Sequence, residues 1–158
     1  MEIERKFTVK TLPDNLQQYQ FHCIEQAYLN TDPVIRIRKE DDNYYLTYKG
    51  KGLLAREEYN LPLNEQAYYH LREKADGTVI SKKRYLIPID QTGLTIELDI
   101  FDAPFENLII AEVEFPTREA ADAFLPVDWF AEDVTNDPEY HNSNLSKKVT
   151  LFPPQSES

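Results

Sequence analysis

The chain opens Met1-Glu2-Ile3-Glu4-Arg5-Lys6. Read as a strand, it alternates faces, so Glu2, Glu4 and Lys6 point one way and Ile3, Arg5 and Phe7 the other. Two carboxylates and an ammonium on one face make a poor core. They suit a hard divalent cation beside an anion, because such cations take carboxylate oxygens. Taken alone, the stretch reads better as a solvated edge strand of mixed charge. Recurrence further along the chain changes that reading.

The same inverted face returns on five later stretches. Ile35 and Ile37 oppose Arg36 and Arg38; Leu46 and Tyr48 oppose Thr47 and Lys49. Lys83, Tyr85 and Ile87 oppose Lys82, Arg84 and Leu86; Ile96, Leu98 and Ile100 oppose Glu97 and Asp99. Ile109, Ala111, Val113 and Phe115 oppose Glu112 and Glu114. An ordinary antiparallel sheet also has one polar face. Here, however, that face is nearly all Arg, Lys, Glu and Asp, and it is sorted by strand into basic and acidic. Closed with these faces inward, the sheet would make a polar tunnel. Its acidic strands would suit a metal, and its basic strands phosphate, which Arg grips bidentately. Pattern alone leaves the closed tunnel and a half-exposed sheet level.

The whole-chain reading agrees with a small single domain. Strand-like alternation covers 2–9, 24–30, 34–40, 43–50, 56–61, 79–88, 94–101 and 108–116. Asp42-Asn43 and Gln91-Thr92-Gly93 are tight-turn signals. Asn64 is a cap for a helix to about Ala75, Thr117 caps another through Phe124, and Pro13 starts a short one over 13–20. Roughly eight closely spaced strands predict an antiparallel barrel or sandwich. The 158 residues read as one domain over 1–152, with a disordered tail over 153–158. A formal charge of −11 argues against nucleic-acid binding, though it leaves room for a small anion in a local basic pocket. The single Cys23 excludes an internal disulfide and a cysteine zinc cluster. With no transmembrane-length apolar run and no signal peptide, a soluble cytoplasmic protein without a membrane partner is expected.

Taken in order, these doublets resemble the CYTH superfamily, the triphosphate tunnel metalloenzymes. The family's Glu-x-Glu-x-Lys strand is matched by Glu2, Glu4 and Lys6, and its Arg-x-Arg strand by Arg36 and Arg38. Thr47 and Lys49, Lys82 and Arg84, Glu97 and Asp99, and Glu112 and Glu114 match its later marks. The segment Asp137 to Lys147 resembles the end of short bacterial members. One departure stands out. Where members often carry Arg-x-Glu-x-Glu, this chain has Arg56, Glu58 and Asn60.

The resemblance implies a mainly β (α+β) fold: a closed antiparallel eight-stranded barrel around a polar tunnel, with a few flanking helices. It also implies a triphosphate substrate and Mg2+ or Mn2+. Metal binding falls to Glu2, Glu4, Glu112 and Glu114, and phosphate binding to Lys6, Arg36, Arg38, Lys49, Arg56, Lys82 and Arg84. Glu4, Lys6 and Glu114 are the catalytic candidates, while Glu58, Glu97 and Asp99 would orient water or hold the basic side chains. Hydrolysis of inorganic tripolyphosphate is the leading expectation. Nucleoside or thiamine triphosphate, a class IV-like adenylate cyclase and a non-catalytic polyphosphate sensor are the alternatives.

The remaining features get plainer readings. His22, His70 and His141 lack metal spacing and read as surface or core histidines. Trp129 and Phe130 read as packing against the barrel. Tyr140 and Lys147 stand between closing one tunnel end and touching substrate. The outer apolar residues Ile35, Ile37, Leu98, Ile100, Val113 and Phe115 make a homodimer a candidate.

Overall fold

The computed structural model describes residues 2–51 and 55–146. The expectations for Lys147 and for the 153–158 tail lie outside the described residues. The strands are β1 (Glu2–Val9), β2 (Phe21–Thr31), β3 (Val34–Glu40), β4 (Asn43–Lys49), β5 (Ala55–Arg56), β6 (Glu58–Leu63), β7 (Asp76–Ile89), β8 (Leu94–Phe101), β9 (Ile109–Glu114) and β10 (Phe130–Asp133). The α-helices are α1 (Glu65–Arg72), α2 (Arg118–Ala123) and α3 (Asn142–Leu145). Asn64 and Thr117 cap as expected, accepting from the Ala67 and Ala120 amides. The helix expected over 13–20 shrinks to a 3₁₀ turn at Leu16–Gln18.

The ladder runs β10-β1-β9-β8-β7-β2-β3-β4-β6, with β5 paired to β1. Glu57 alone separates β5 from β6. The short β1–β5 ladder, Glu2↔Arg56 and Ile3↔Ala55, therefore joins the two ends of the sheet. The ring has eight staves, β1, β9, β8, β7, β2, β3, β4 and the broken β5–β6 stave, which is the expected nearly closed antiparallel barrel. β10 lies outside that ring, on the C-terminal half of β1.

Facing residues in an antiparallel ladder point to the same side, so register carries the charges inward together. Glu4 faces Glu114 and Lys6 faces Glu112. Glu97 faces Glu112, Asp99 faces Arg84, and Lys49 faces Glu58. The core therefore lies mostly outside the barrel. One outer cluster packs Phe7, Ile87, Leu98, Val113 and Phe115 against Ala121 and Phe130, with Trp129 half-buried beside them. Another packs Ala27 and Ile37 beneath Tyr68 of α1. Within the barrel, Tyr28, Val34, Ile80, Phe101 and Ile110 join Phe105, Leu108 and Leu145 of α3 in an apolar plug at one end.

The outer residues offered as a dimer face are largely covered within the chain. Ile37, Leu98, Val113 and Phe115 are buried, and only Ile35 and Ile100 remain half-buried. Among the described residues, no helix is long and apolar enough to cross a membrane.

Candidate active site

Inside the barrel lies a cavity of about 220 Å³ with a wall that is almost wholly polar. That is smaller than the 300–1,000 Å³ typical of drug-sized ligands, so it suits a compact, highly charged guest. Its wall includes Glu2, Glu4, Lys6, Arg36, Arg38, Lys49, Arg56, Glu58, Arg84, Glu97, Glu112 and Glu114. Strand alternation places these side chains there and sends Arg5 outward, where it bonds the Ala121 and Phe124 carbonyls and Asp133.

Two expected site residues stand behind this wall. Lys82 and Asp99 are fully buried and paired at 2.7 Å, with the Lys82 ammonium 5.1 Å from the Phe101 ring. Burial pulls Lys82 down to about 7, against the attraction of Asp99. Asp99 also receives Arg84 Nε at 2.7 Å and Nη2 at 2.8 Å, so it serves to hold basic residues. Glu97 meets the same guanidinium at 3.4 Å.

The wall also contains residues that the sequence does not mark as site candidates: Tyr28, Val34, Glu40, Tyr45, His141, Asn142 and Ser143. His141 corrects an expectation. It was read as a surface or core histidine, yet the turn through Pro138–Tyr140 brings it to the cavity, with Nε2 3.1 Å from the Thr135 carbonyl. Burial lowers its pKa, and Lys6 nearby adds to that. The resemblance of Asp137 to Lys147 to the end of short family members was the signal for this segment, but no alternating charge tied His141 to the cavity. Tyr140 packs on the apolar plug, and its carbonyl accepts from Lys6 Nζ at 3.1 Å.

The carboxylates fall into two states. Glu112 is held well below the usual carboxylate range: burial opposes ionisation, but Lys6 at 3.6 Å and Arg84 at 3.9 Å outweigh it. Glu4 goes the other way, to about 8, through burial reinforced by Glu112 and Glu2. Glu2 rises to about 7, chiefly through burial, with neighbouring Glu58 adding to the rise. Glu58 falls to about 2: burial opposes this, but the hydrogen bond with Glu2 and the Lys49 charge prevail. Glu2 Oε1 and Glu58 Oε2 have no hydrogen-bond partner, meeting Lys49 only in looser ion-pair geometry at 3.1 and 3.4 Å. Among the described residues, no three His, Cys, Asp or Glu side chains converge as a ready-made metal-ligand set. The acids are instead turned toward lysines and arginines.

The family model for the CYTH domain matches residues 1–149. The chain belongs to the CYTH domain family. The resemblance read from its six charged strands is thereby borne out. Two relatives, both named inorganic triphosphatase, come from Nitrosomonas europaea and Acetivibrio thermocellus. The first is 36% identical, covering 94% of this chain and 98% of its own. The second is 37% identical, covering 92% and 93%. The crystal structure of the inorganic triphosphatase NE1496 superposes with a TM-score of 0.71 at 34% identity, covering 94% of this CYTH chain and 96% of that one.

Proposed function

We propose that this CYTH protein hydrolyses inorganic triphosphate with the aid of a divalent cation, magnesium or manganese. The observation that carries the reading is the small cavity whose wall interleaves glutamates, Glu2, Glu4, Glu112 and Glu114 among them, with basic side chains. The name shared by its relatives supports the same chemistry. A triphosphate brings about four negative charges at neutral pH. Its hydrolysis asks mainly for positioning and charge stabilisation, which such a wall provides.

In this proposal Lys6, Arg36, Arg38, Lys49, Arg56 and Arg84 bind phosphate oxygens. Lys82, behind the wall, acts through Asp99 on Arg84. Glu2, Glu4, Glu112 and Glu114 hold the cation. The donor set fits: all are hard oxygens, and Glu4 stands between Glu2 and Glu112, whose repulsion a cation would relieve. When bound, a divalent cation supplies Lewis-acid polarisation and makes water more acidic. Glu4, its repulsion from Glu112 and Glu2 relieved by the cation, is the carboxylate that takes the proton of the attacking water. Glu114, facing Glu4 across the β1–β9 ladder, completes the acidic face. Glu58 and Glu97 steady Lys49 and Arg84.

The test offers purified protein tripolyphosphate, ATP and thiamine triphosphate, each with magnesium, manganese or EDTA. Cation-dependent phosphate release, fastest from tripolyphosphate, is expected. Cyclic AMP with pyrophosphate from ATP would replace the reading with a cyclase. Tight binding without release under either cation would replace it with a sensor.

A further inference from the structure

The basic residues of the cavity fall into two classes by partner. Lys6, Lys49, Arg56 and Arg84 each stand within 4 Å of a carboxylate. Among the described residues, Arg36 and Arg38 make no such pair, and their partners are neutral oxygens. Arg36 Nη2 donates to Thr47 Oγ1 at 3.2 Å, and Arg38 Nε donates to Gln26 Oε1 at 2.8 Å. Both guanidiniums are buried, at 4% and 6% exposure, and Arg36 Nε has no partner. Two buried cations on one strand face with no carboxylate in contact, and only the more distant charges of Glu58 and Glu97 to offset them, are costly. An anion is what such a pair lacks.

Two amides keep carboxylates away from it. Gln26 is fully buried on β2, directly across the ladder from Arg38. Asn60 on β6 faces Thr47. The Thr47 hydroxyl donates to Asn60 Oδ1 at 2.6 Å, and Asn60 Nδ2 donates to Glu58 Oε1 at 3.1 Å. A relay therefore runs from Arg36 through Thr47 and Asn60 to Glu58. Asn60 is the departure from the family's Arg-x-Glu-x-Glu pattern. A carboxylate in its place would carry negative charge to the hydroxyl that holds Arg36.

We propose that Gln26 and Asn60 are positioning residues that set affinity for the substrate: by offering neutral oxygens, they leave Arg36 and Arg38 as an anion seat that takes tripolyphosphate before any divalent cation is bound. The inference rests on the hydrolase reading above for its ligand. The other cations must give up a carboxylate to bind phosphate, whereas this pair gives up none, so it engages first.

Calorimetric titration of tripolyphosphate in EDTA tests the seat. The wild-type protein should bind, and Asn60→Asp and Gln26→Glu should each bind at least tenfold more weakly. Asn60→Gln, which keeps the neutral amide, should bind within about threefold of wild type. With magnesium, Asn60→Asp should raise KM by a similar factor and leave kcat within about threefold, a split that general loss of structure does not give. Gln26 lies in the interior, and its variant can fail to fold. Asn60 lies on an exposed strand, so its variants, checked by circular dichroism, decide the matter. Folded Asn60→Asp binding as tightly as wild type, or wild type binding nothing until a cation is added, would overturn the inference. If tripolyphosphate is not hydrolysed but Asn60→Asp still abolishes its binding in EDTA, the hydrolase reading falls and the seat stands. If hydrolysis proceeds and Asn60→Asp is indifferent, the seat falls alone.

Discussion

Glu4 joins the chemistry of the cavity to the stability of the fold. Its carboxyl lies in a buried acidic cluster with a pKa near 8. Glu4→Gln keeps the shape and removes the ionisable oxygen that would hold the cation, so turnover should fall by about 10²–10³-fold, the usual loss for a key electrostatic group. Its circular dichroism should be unchanged; a variant with normal rates would refute the assignment. The raised pKa also fixes a sign. The folded state holds protons on Glu4 and Glu2 that the unfolded chain releases from about 4.5 upward. Their stabilising contribution is full below pH 4.5 and is lost as pH rises to about 8. Unfolding temperature measured in EDTA should therefore decline across that window, and less steeply in Glu4→Gln. Magnesium should restore more stability at pH 8.5 than at pH 5, where it must displace protons; equal shifts at both would argue against the carboxylate cluster. Most wall residues were legible in the sequence because their charges alternate with apolar neighbours. Tyr45 and His141 were not, nor was Gln26, which is buried beside Arg38. Gln26 and Tyr45 carry no charge to break an otherwise ordinary strand, and His141 reaches the wall from a turn rather than a stave.

Between elements, packing explains which parts of the architecture could be foreseen. Period-two alternation marked β1, β3, β4, β7, β8 and β9 because each buries one apolar face and one charged face. β10 escaped notice because it is four residues long with only Phe130 buried. The break between β5 and β6 escaped because Glu57 interrupts pairing, not polarity. The long-range tie that holds α2 was equally invisible. Arg5 Nη1 donates to both the Ala121 and Phe124 carbonyls at 2.9 Å, and its Nη2 meets Asp133 at 2.8 Å. Arg5→Ala should cost about 2–3 kcal/mol by urea denaturation, since charge-assisted bonds to carbonyls are lost. Its kcat on tripolyphosphate should be unchanged in the folded fraction, because Arg5 faces away from the cavity. Asp133 has a lowered pKa: partial burial opposes ionisation, but the Thr135 hydroxyl and amide and then Arg5 prevail. Its contribution is therefore present above the unfolded carboxylate range and lost on acidification. At the plugged end, Leu145→Ala should cost about 2–5 kcal/mol, since Leu145 is fully buried among Phe101, Phe105 and Ile110. A loss under 1 kcal/mol would mean that α3 is not anchored there.

Across the molecule the barrel turns the usual arrangement inside out, with charge at the axis and apolar cover supplied by α1, α2 and the β10 segment. The ring itself is fastened unevenly. Among the described residues, β7 and β8 face each other at eight positions, whereas β1 and β5 meet at two. A cylinder held this way is a cuff with a clasp. Undoing the described part of the clasp breaks few backbone bonds, so its opening belongs to the low end of local unfolding energies. Amides along the β1–β5 ladder should exchange hydrogen faster than those between β7 and β8, as mass spectrometry of exchanged peptides would record. Equal protection in both places would show that the clasp does not yield. Because Glu2 and Arg56 sit on the clasp itself, a charged guest that engages them also fastens it. The wall that grips the substrate is then also the part best able to part for it, a side door that its own cargo locks.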